Sequence, residues 1–99
     1  MGKLNDKQFK FTRMVALLLQ YANARGYEIT FGDAYAQTGH MINSLHYKRL
    51  AIDLNLFKDG KYLTGTEDHK FLGEFWEMLD PKNRWGGRFN DGNHYEHRI

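Results

Sequence analysis

The sequence predicts a small α+β domain in which two helices pack against a mainly antiparallel sheet. Three observations predict it. Two segments, around positions 9–22 and 71–79, repeat apolar side chains at the helical period. Three shorter runs, Tyr27–Phe31, Leu50–Phe57 and Tyr62-Leu63, carry the β-branched and aromatic content of strands. An Asp-Gly pair at positions 59–60 joins the last two, which is the turn chemistry of an antiparallel hairpin. The 99 residues fill a single domain, 1–99, because half as long a chain buries too little surface to fold unaided. A hydrophobic content of 41%, with 15% aromatics, is enough for one core.

The elements follow in order. Asn5 and Asp6 are N-cap candidates for a first helix over about Lys7–Arg25. Phe9, Val15, Leu18, Leu19 and Ala22 form its apolar stripe, and Gly26 stands where a C′ glycine belongs. Tyr27–Phe31 reads as a strand, and Gly32 to Ser44, polar and without periodicity, as a loop. Leu50–Phe57 is the second strand, Lys58-Asp59-Gly60-Lys61 the hairpin turn and Tyr62-Leu63 the start of the return strand. Thr64 or Thr66 then caps a helix ending near Leu79, with Phe71, Leu72, Phe75, Trp76 and Leu79 on one face. Asp80-Pro81-Lys82-Asn83 stops it, and a last short strand falls around His94–Arg98. There is no internal repeat, linker or low-complexity stretch.

Composition excludes several classes. With no Cys there is no disulfide framework, thiolate metal site or cysteine nucleophile, so any metal must be held by His and carboxylate. The net charge of +2 comes from scattered basic residues interspersed with acids, which is not the footprint of a nucleic-acid binder. No stretch approaches the roughly 18 apolar residues of a membrane span. Lys7, Lys10 and Arg13 before Met14–Leu19, with Ala22-Asn23-Ala24 after it, imitate a secretory signal. The apolar run falls short of the roughly 7–15 residues of such a signal and reads better as a core helix.

Three places could carry chemistry. Asp53 interrupts an apolar strand, sharing a face with Ala51 and Asn55; a carboxylate there needs a partner or a metal unless that face meets solvent. His46 precedes it by seven residues, roughly 23 Å of extended chain, so the two can share an ion only if the segment 47–49 turns back. The segment 85–97 concentrates glycines, aromatics and titratable groups, with Asp91 and His94 flanking Gly92-Asn93. Two His and one carboxylate around zinc leave a fourth position for water, and a second carboxylate nearby can take its proton. A His-rich tail that binds metal adventitiously fits the same spacing.

Taken together, Ser44-Leu45-His46, Ala51-Ile52-Asp53 and Trp85-Gly86-Gly87 followed by Asp91 and His94 resemble a family of zinc peptidases. These are the peptidoglycan D-Ala-D-Ala carboxypeptidases and dipeptidases, and above all the phage endolysins that act as L-alanyl-D-glutamate peptidases. The match runs from about Tyr27 to Tyr95. The resemblance implies a Hedgehog/D-Ala-D-Ala peptidase-like fold, a Zn2+ ion held by His46, Asp53 and His94, and Asp91 as the general base. Ser44, Arg49, Trp85 and Arg88 are the candidates for contact with substrate. Two positions depart from the family pattern: Arg49 stands where relatives carry Gly, and Ala36 follows Gly32-Asp33-Ala34-Tyr35 where many carry an arginine that binds substrate. Either another cation, such as Arg49 or Arg88, takes that role or activity is reduced.

The other marked residues have plainer readings. His69, in the first turn of the second helix, reads as a solvated surface residue, and His40 as a loop residue. His97 is an alternative third ligand, to which His94 is preferred. Trp76 belongs to the core, while Trp85 either packs under the metal loop or lines the cleft. Ser44 has no base in view that would make it a nucleophile. The expected function is a zinc-dependent peptidoglycan peptidase of phage lysis, a monomer made in the host cytoplasm and acting on the cell wall after release. Its partner is the stem peptide, with no nucleic acid and no membrane insertion. The alternative is a catalytically weak or inactive zinc-containing module that binds peptide or wall.

Overall fold

A computed structural model describes residues 2–32 and 45–99. The intervening positions, with Ser44, Ala36 and His40, lie outside the described residues. The chain runs α1 (Lys3–Ala24), β1 (Tyr27–Phe31), a 3₁₀ turn (Leu45–Lys48), β2 (Ala51–Lys58) and β3 (Lys61–Leu63). A second 3₁₀ turn (Thr66–His69) leads into α2 (Lys70–Leu79), followed by β4 (Asn83–Trp85), a third 3₁₀ turn (Gly86–Phe89) and β5 (His94–His97). The five strands form one antiparallel sheet in the order β1-β2-β5-β4, with β3 also paired to β2. This is the predicted α+β architecture. Among the described residues no helix is long and apolar enough to cross a membrane.

The long strand β2 organises the sheet. Its second half pairs with β1, from Phe31↔Leu54 to Tyr27↔Lys58, and with β3. Its first half pairs with β5, through Ala51↔Glu96, Ile52↔Tyr95 and Asp53↔His94. Because side chains alternate across a strand, Ile52, Leu54, Leu56 and Tyr95 point to the helices, while Asp53, His94 and Glu96 share the opposite face. The first set joins Phe11, Met14, Leu18, Ala22, Leu72, Trp76 and Trp85 in a single core. Trp76 is fully buried, edge-on to Phe11, and its Nε1–H donates to the Glu96 carbonyl at 2.9 Å. Asp59 and Gly60 both have positive φ, 53° and 77°, as a tight two-residue hairpin turn requires.

Several boundaries differ from the sequence reading. The first helix begins at Lys3 after Gly2, so Asn5 and Asp6 sit in its first turn instead of capping it. A carboxylate in the first turn suits the helix dipole as well as a cap does, which is why the two readings look alike in sequence. Phe9 is 44% exposed; the buried stripe is Phe11, Met14, Val15, Leu18 and Ala22. At the other end Gly26, with φ 86°, donates to the Asn23 carbonyl as predicted. Neither Thr64 nor Thr66 caps the second helical segment: Asp68 reaches back to accept from the Gly65 N–H at 3.0 Å. Strand β4 was not predicted, since three residues with one apolar member carry no readable period.

Candidate metal centre

The turn that brings His46 back is local. In the 3₁₀ segment the Arg49 N–H donates to the His46 carbonyl and the Leu50 N–H to the Leu45 carbonyl, at 3.1 and 2.9 Å. Arg49 has φ 58°, in the left-handed region that favours glycine. The chain reverses there, β2 starts at Ala51, and His46 Nε2 comes to 3.2 Å from Asp53 Oδ1. The third group arrives through the sheet, because Asp53 and His94 are register partners. His94 Nδ1 lies 3.2 Å from Asp53 Oδ1 and 3.1 Å from His46 Nε2. Thus three donor atoms form a nearly equilateral triangle. His46 and His94 are buried and Asp53 is half-buried, so the strand face that composition left open to solvent is largely covered. This group could hold a metal ion.

Electrostatics fit the assembly. Burial pushes the Asp53 carboxyl up, but hydrogen bonds and attraction from His46 and His94 outweigh it and hold its pKa at about 2. Burial works the other way on His94, against hydrogen bonds to Asp53 and Glu96, and the imidazole ends raised to about 9. The carboxylates of Asp53 and Glu96 thus favour the protonated form of His94. Glu96 is a residue that the sequence reading missed. It is buried, and its Oε1 accepts from His94 Nε2–H at 2.7 Å. Its only sequence signal is the two-residue spacing from His94 in a strand, which puts both on one face.

Asp91 stands outside the donor triangle, exposed on the loop before β5. Its backbone is pinned on both sides: the N–H donates to the Gly86 carbonyl at 2.8 Å, and its own carbonyl accepts from the His94 N–H at 3.1 Å. With Asn55, Tyr62, Thr66, His69 and Asn93 it lines a polar cleft of about 250 Å³. The Trp85-Gly86-Gly87 segment shapes this loop. Trp85 is buried, its Nε1–H donates to the Gly92 carbonyl at 2.7 Å, and its indole lies against Gly73 and Gly87, where any Cβ would overlap it. Of its two readings the packing one describes the structure, and Trp85 does not offer a ring to the surface.

The remaining predicted residues separate. Arg88 is exposed and ion-paired to Glu77 at 2.6 Å, and Arg49 is exposed on the turn after His46. His69 is not a surface residue: it is buried, and its Nδ1 hydrogen-bonds the Tyr95 hydroxyl at 2.8 Å. Burial outweighs the attraction of Asp68 and pushes its pKa down. His97 is no ligand to this group. It points to the other face, where its Nδ1 donates to Asn83 Oδ1 at 2.7 Å. Ser44 and His40 lie outside the described residues.

Fold and site define a small α+β domain with a His/Asp/His group that could hold a metal; the polar cleft that Asp91 lines has none of these three residues in its walls. Comparison with protein-family models gives no match to this chain, and comparison with curated proteins gives none either.

Proposed function

We propose that the protein is a zinc-dependent peptidase of the endolysin type, cleaving the L-Ala-D-Glu or D-Ala-D-Ala bond of the peptidoglycan stem peptide. The observation that carries this reading is the convergence of His46 Nε2, Asp53 Oδ1 and His94 Nδ1 at 3.1–3.2 Å from one another. Bonds of about 2.0–2.1 Å to a tetrahedral ion put neighbouring ligand atoms about 3.3–3.4 Å apart, so the donors need adjust by only tenths of an ångström. Two imidazoles and one carboxylate, with no sulfur, are also the donor set of a catalytic rather than a structural zinc site. His46, Asp53 and His94 would hold the ion, which when bound supplies Lewis acidity and a water whose pKa falls towards about 7.

The chain's own residues do the rest. Asp91, on the lip of the cleft, takes a proton from water as its oxygen bonds to the scissile carbonyl carbon. It returns that proton to the amine nitrogen as the C–N bond breaks. One of the two backbone hydrogen bonds that pin Asp91 ties it to His94, so base and ligand sit in one turn. Arg88 is held by Glu77, and Arg49, on the turn after His46, is the residue we assign to the substrate carboxylate. Acting on the wall after release from the host cytoplasm accords with this assignment.

Digestion of purified peptidoglycan, with and without chelator, followed by mass spectrometry of the fragments tests the proposal and identifies the bond. Chelator-sensitive release of new amino termini is expected. Asp91→Asn should keep zinc and lose about 10²-fold or more in rate, whereas His46→Ala should lose both zinc and hydrolysis. Digestion by Asp91→Asn at the wild-type rate would remove Asp91 from its role. A wild-type protein that holds zinc and cleaves nothing would be a wall- or peptide-binding module instead.

A further inference from the structure

We infer that Glu96, braced by Arg84, is a positioning residue that decides which ring nitrogen of His94 is presented to the metal. The inference rests on the metal-centre reading above and adds to it two residues that the resemblance does not assign. An imidazole has two nitrogens, and the one that carries the proton cannot ligate. Here Nε2–H is taken by Glu96 Oε1 at 2.7 Å, which leaves Nδ1 as the nitrogen that faces His46 Nε2 and Asp53 Oδ1.

The carboxylate is itself fixed. Its two oxygens divide their work: Oε1 faces His94, while Oε2 accepts from Arg84 Nε at 3.0 Å and Nη2 at 2.9 Å. The Arg84 guanidinium lies over the Phe89 ring at 4.8 Å, and that ring stands edge-on to the His94 imidazole at 5.6 Å. The four side chains therefore close a loop around His94. A plain surface ion pair between Arg84 and Glu96 would account for Oε2 alone. It gives no reason for a carboxylate 7% exposed to aim its second oxygen at an imidazole.

Sheet register builds the arrangement. Asp53 opposes His94 across β2 and β5, and Arg84 opposes Glu96 across β5 and β4. Ligand, positioning carboxylate and brace thus lie on the same face of three adjacent strands, none of them on a loop. Carboxylates behind a ligating histidine are typically worth about 10–100-fold in metal affinity.

The test uses the full chain, labelled with ¹⁵N and loaded with zinc. Long-range ¹H–¹⁵N correlation shows which ring nitrogen of each His bears the proton and which the metal. The expected pattern for His94 is proton on Nε2 and metal on Nδ1, with His46 bound through Nε2. Zinc affinity, measured by chelator competition, should fall about 10–100-fold in Glu96→Ala and less in Glu96→Gln, which keeps an acceptor oxygen. In Glu96→Ala the single His94 pattern should also give way to a mixture. Wild-type His94 bound through Nε2 would overturn the inference, as would Glu96→Ala with wild-type affinity and an unchanged pattern. Should Glu96→Ala not fold, the wild-type spectrum and Glu96→Gln decide. Wild-type protein that takes up no zinc would overturn the metal centre itself, an outcome distinct from failure of the positioning role.

Discussion

Gly86 offers the sharpest test of how the loop couples Asp91 to His94. A Cβ added there would overlap the Asp91 carbonyl oxygen and lie 2.7 Å from the His94 Cβ. Ordinary carbon–carbon contacts are about 3.5–4.0 Å, so the shortfall is about 1 Å. Neither neighbour can rotate out of the way, because one is backbone and the other is the root of a side chain held by Glu96 and Asp53. Overpacking of this kind costs about 1–3 kcal/mol, and the upper half of that range applies when no flexible atom can yield. The gain from a less flexible unfolded chain is only about 0.4–1 kcal/mol and does not offset it. The net loss of about 1–2.6 kcal/mol, at roughly 4–8 °C per kcal/mol for a domain this size, should make Gly86→Ala melt about 4–20 °C below wild type in the presence of chelator. Its zinc affinity should fall as well, because the displaced carbonyl is the one that accepts the His94 N–H. Thermal unfolding by circular dichroism reads the first effect and chelator competition the second. A variant that melts within about 2 °C of wild type and binds zinc equally would refute the coupling.

Two further outcomes follow from groups elsewhere. The His94 pKa is raised to about 9, so its contribution to the metal-free protein is complete below the unfolded value of about 6.5 and is lost as pH rises through about 9. His69 and His97 are shifted down by burial, so their contribution is present above about 6.5 and is lost as pH falls. Melting temperature in chelator should accordingly peak near pH 6.5 and decline towards 9, and a flat profile over that interval would refute the His94 assignment. Trp76→Ala removes a fully buried ring and leaves the Glu96 carbonyl without its 2.9 Å donor. Urea unfolding should show a loss of about 3–5 kcal/mol, and a loss under about 1 kcal/mol would contradict the core described.

Much of the fold was legible because it rests on period and turn chemistry. The 3.6-residue stripe of α1, the glycine at its end and the Asp-Gly turn are local signals. The two turns appear at the expected positions, and of the stripe Val15, Leu18 and Ala22 are buried while Phe9 is exposed. What failed was non-local. Strand β4 exists because β5 lies beside it, and the burial of His69 depends on a Tyr95 hydroxyl 26 residues away. A histidine in a first helical turn gives no hint of that partner. The candidate site divides in the same way. His46, Asp53 and His94 were picked out by residue type, order and resemblance, but their meeting depends on a left-handed Arg49, a backbone state that the identity of Arg does not announce. Glu96 was passed over because in isolation it is one more acid in a polar tail. Only the register Ala51↔Glu96 puts it on the face of Asp53 and His94.

That register also bears on how so small a domain keeps a buried polar cluster. Asp53, His94 and Glu96 each resist burial, and a chain of this length has few kilocalories to spare. Placing them on adjacent strands lets backbone pairing, which the sheet needs anyway, hold the charged groups in mutual contact. Without metal the two carboxylates favour a proton on His94, whose pKa is raised to about 9. An ion that binds the same donors must displace that proton. Metal affinity should therefore climb with pH up to about 9, and its binding should replace proton-dependent stability with metal-dependent stability. At a free metal concentration about 1,000-fold above Kd the exchange is worth about 4 kcal/mol, comparable to the stability of a marginal domain. Retention of the fold in alkaline solution then becomes a consequence of metal occupancy, and the two cannot be tuned separately by changing His94 or Glu96.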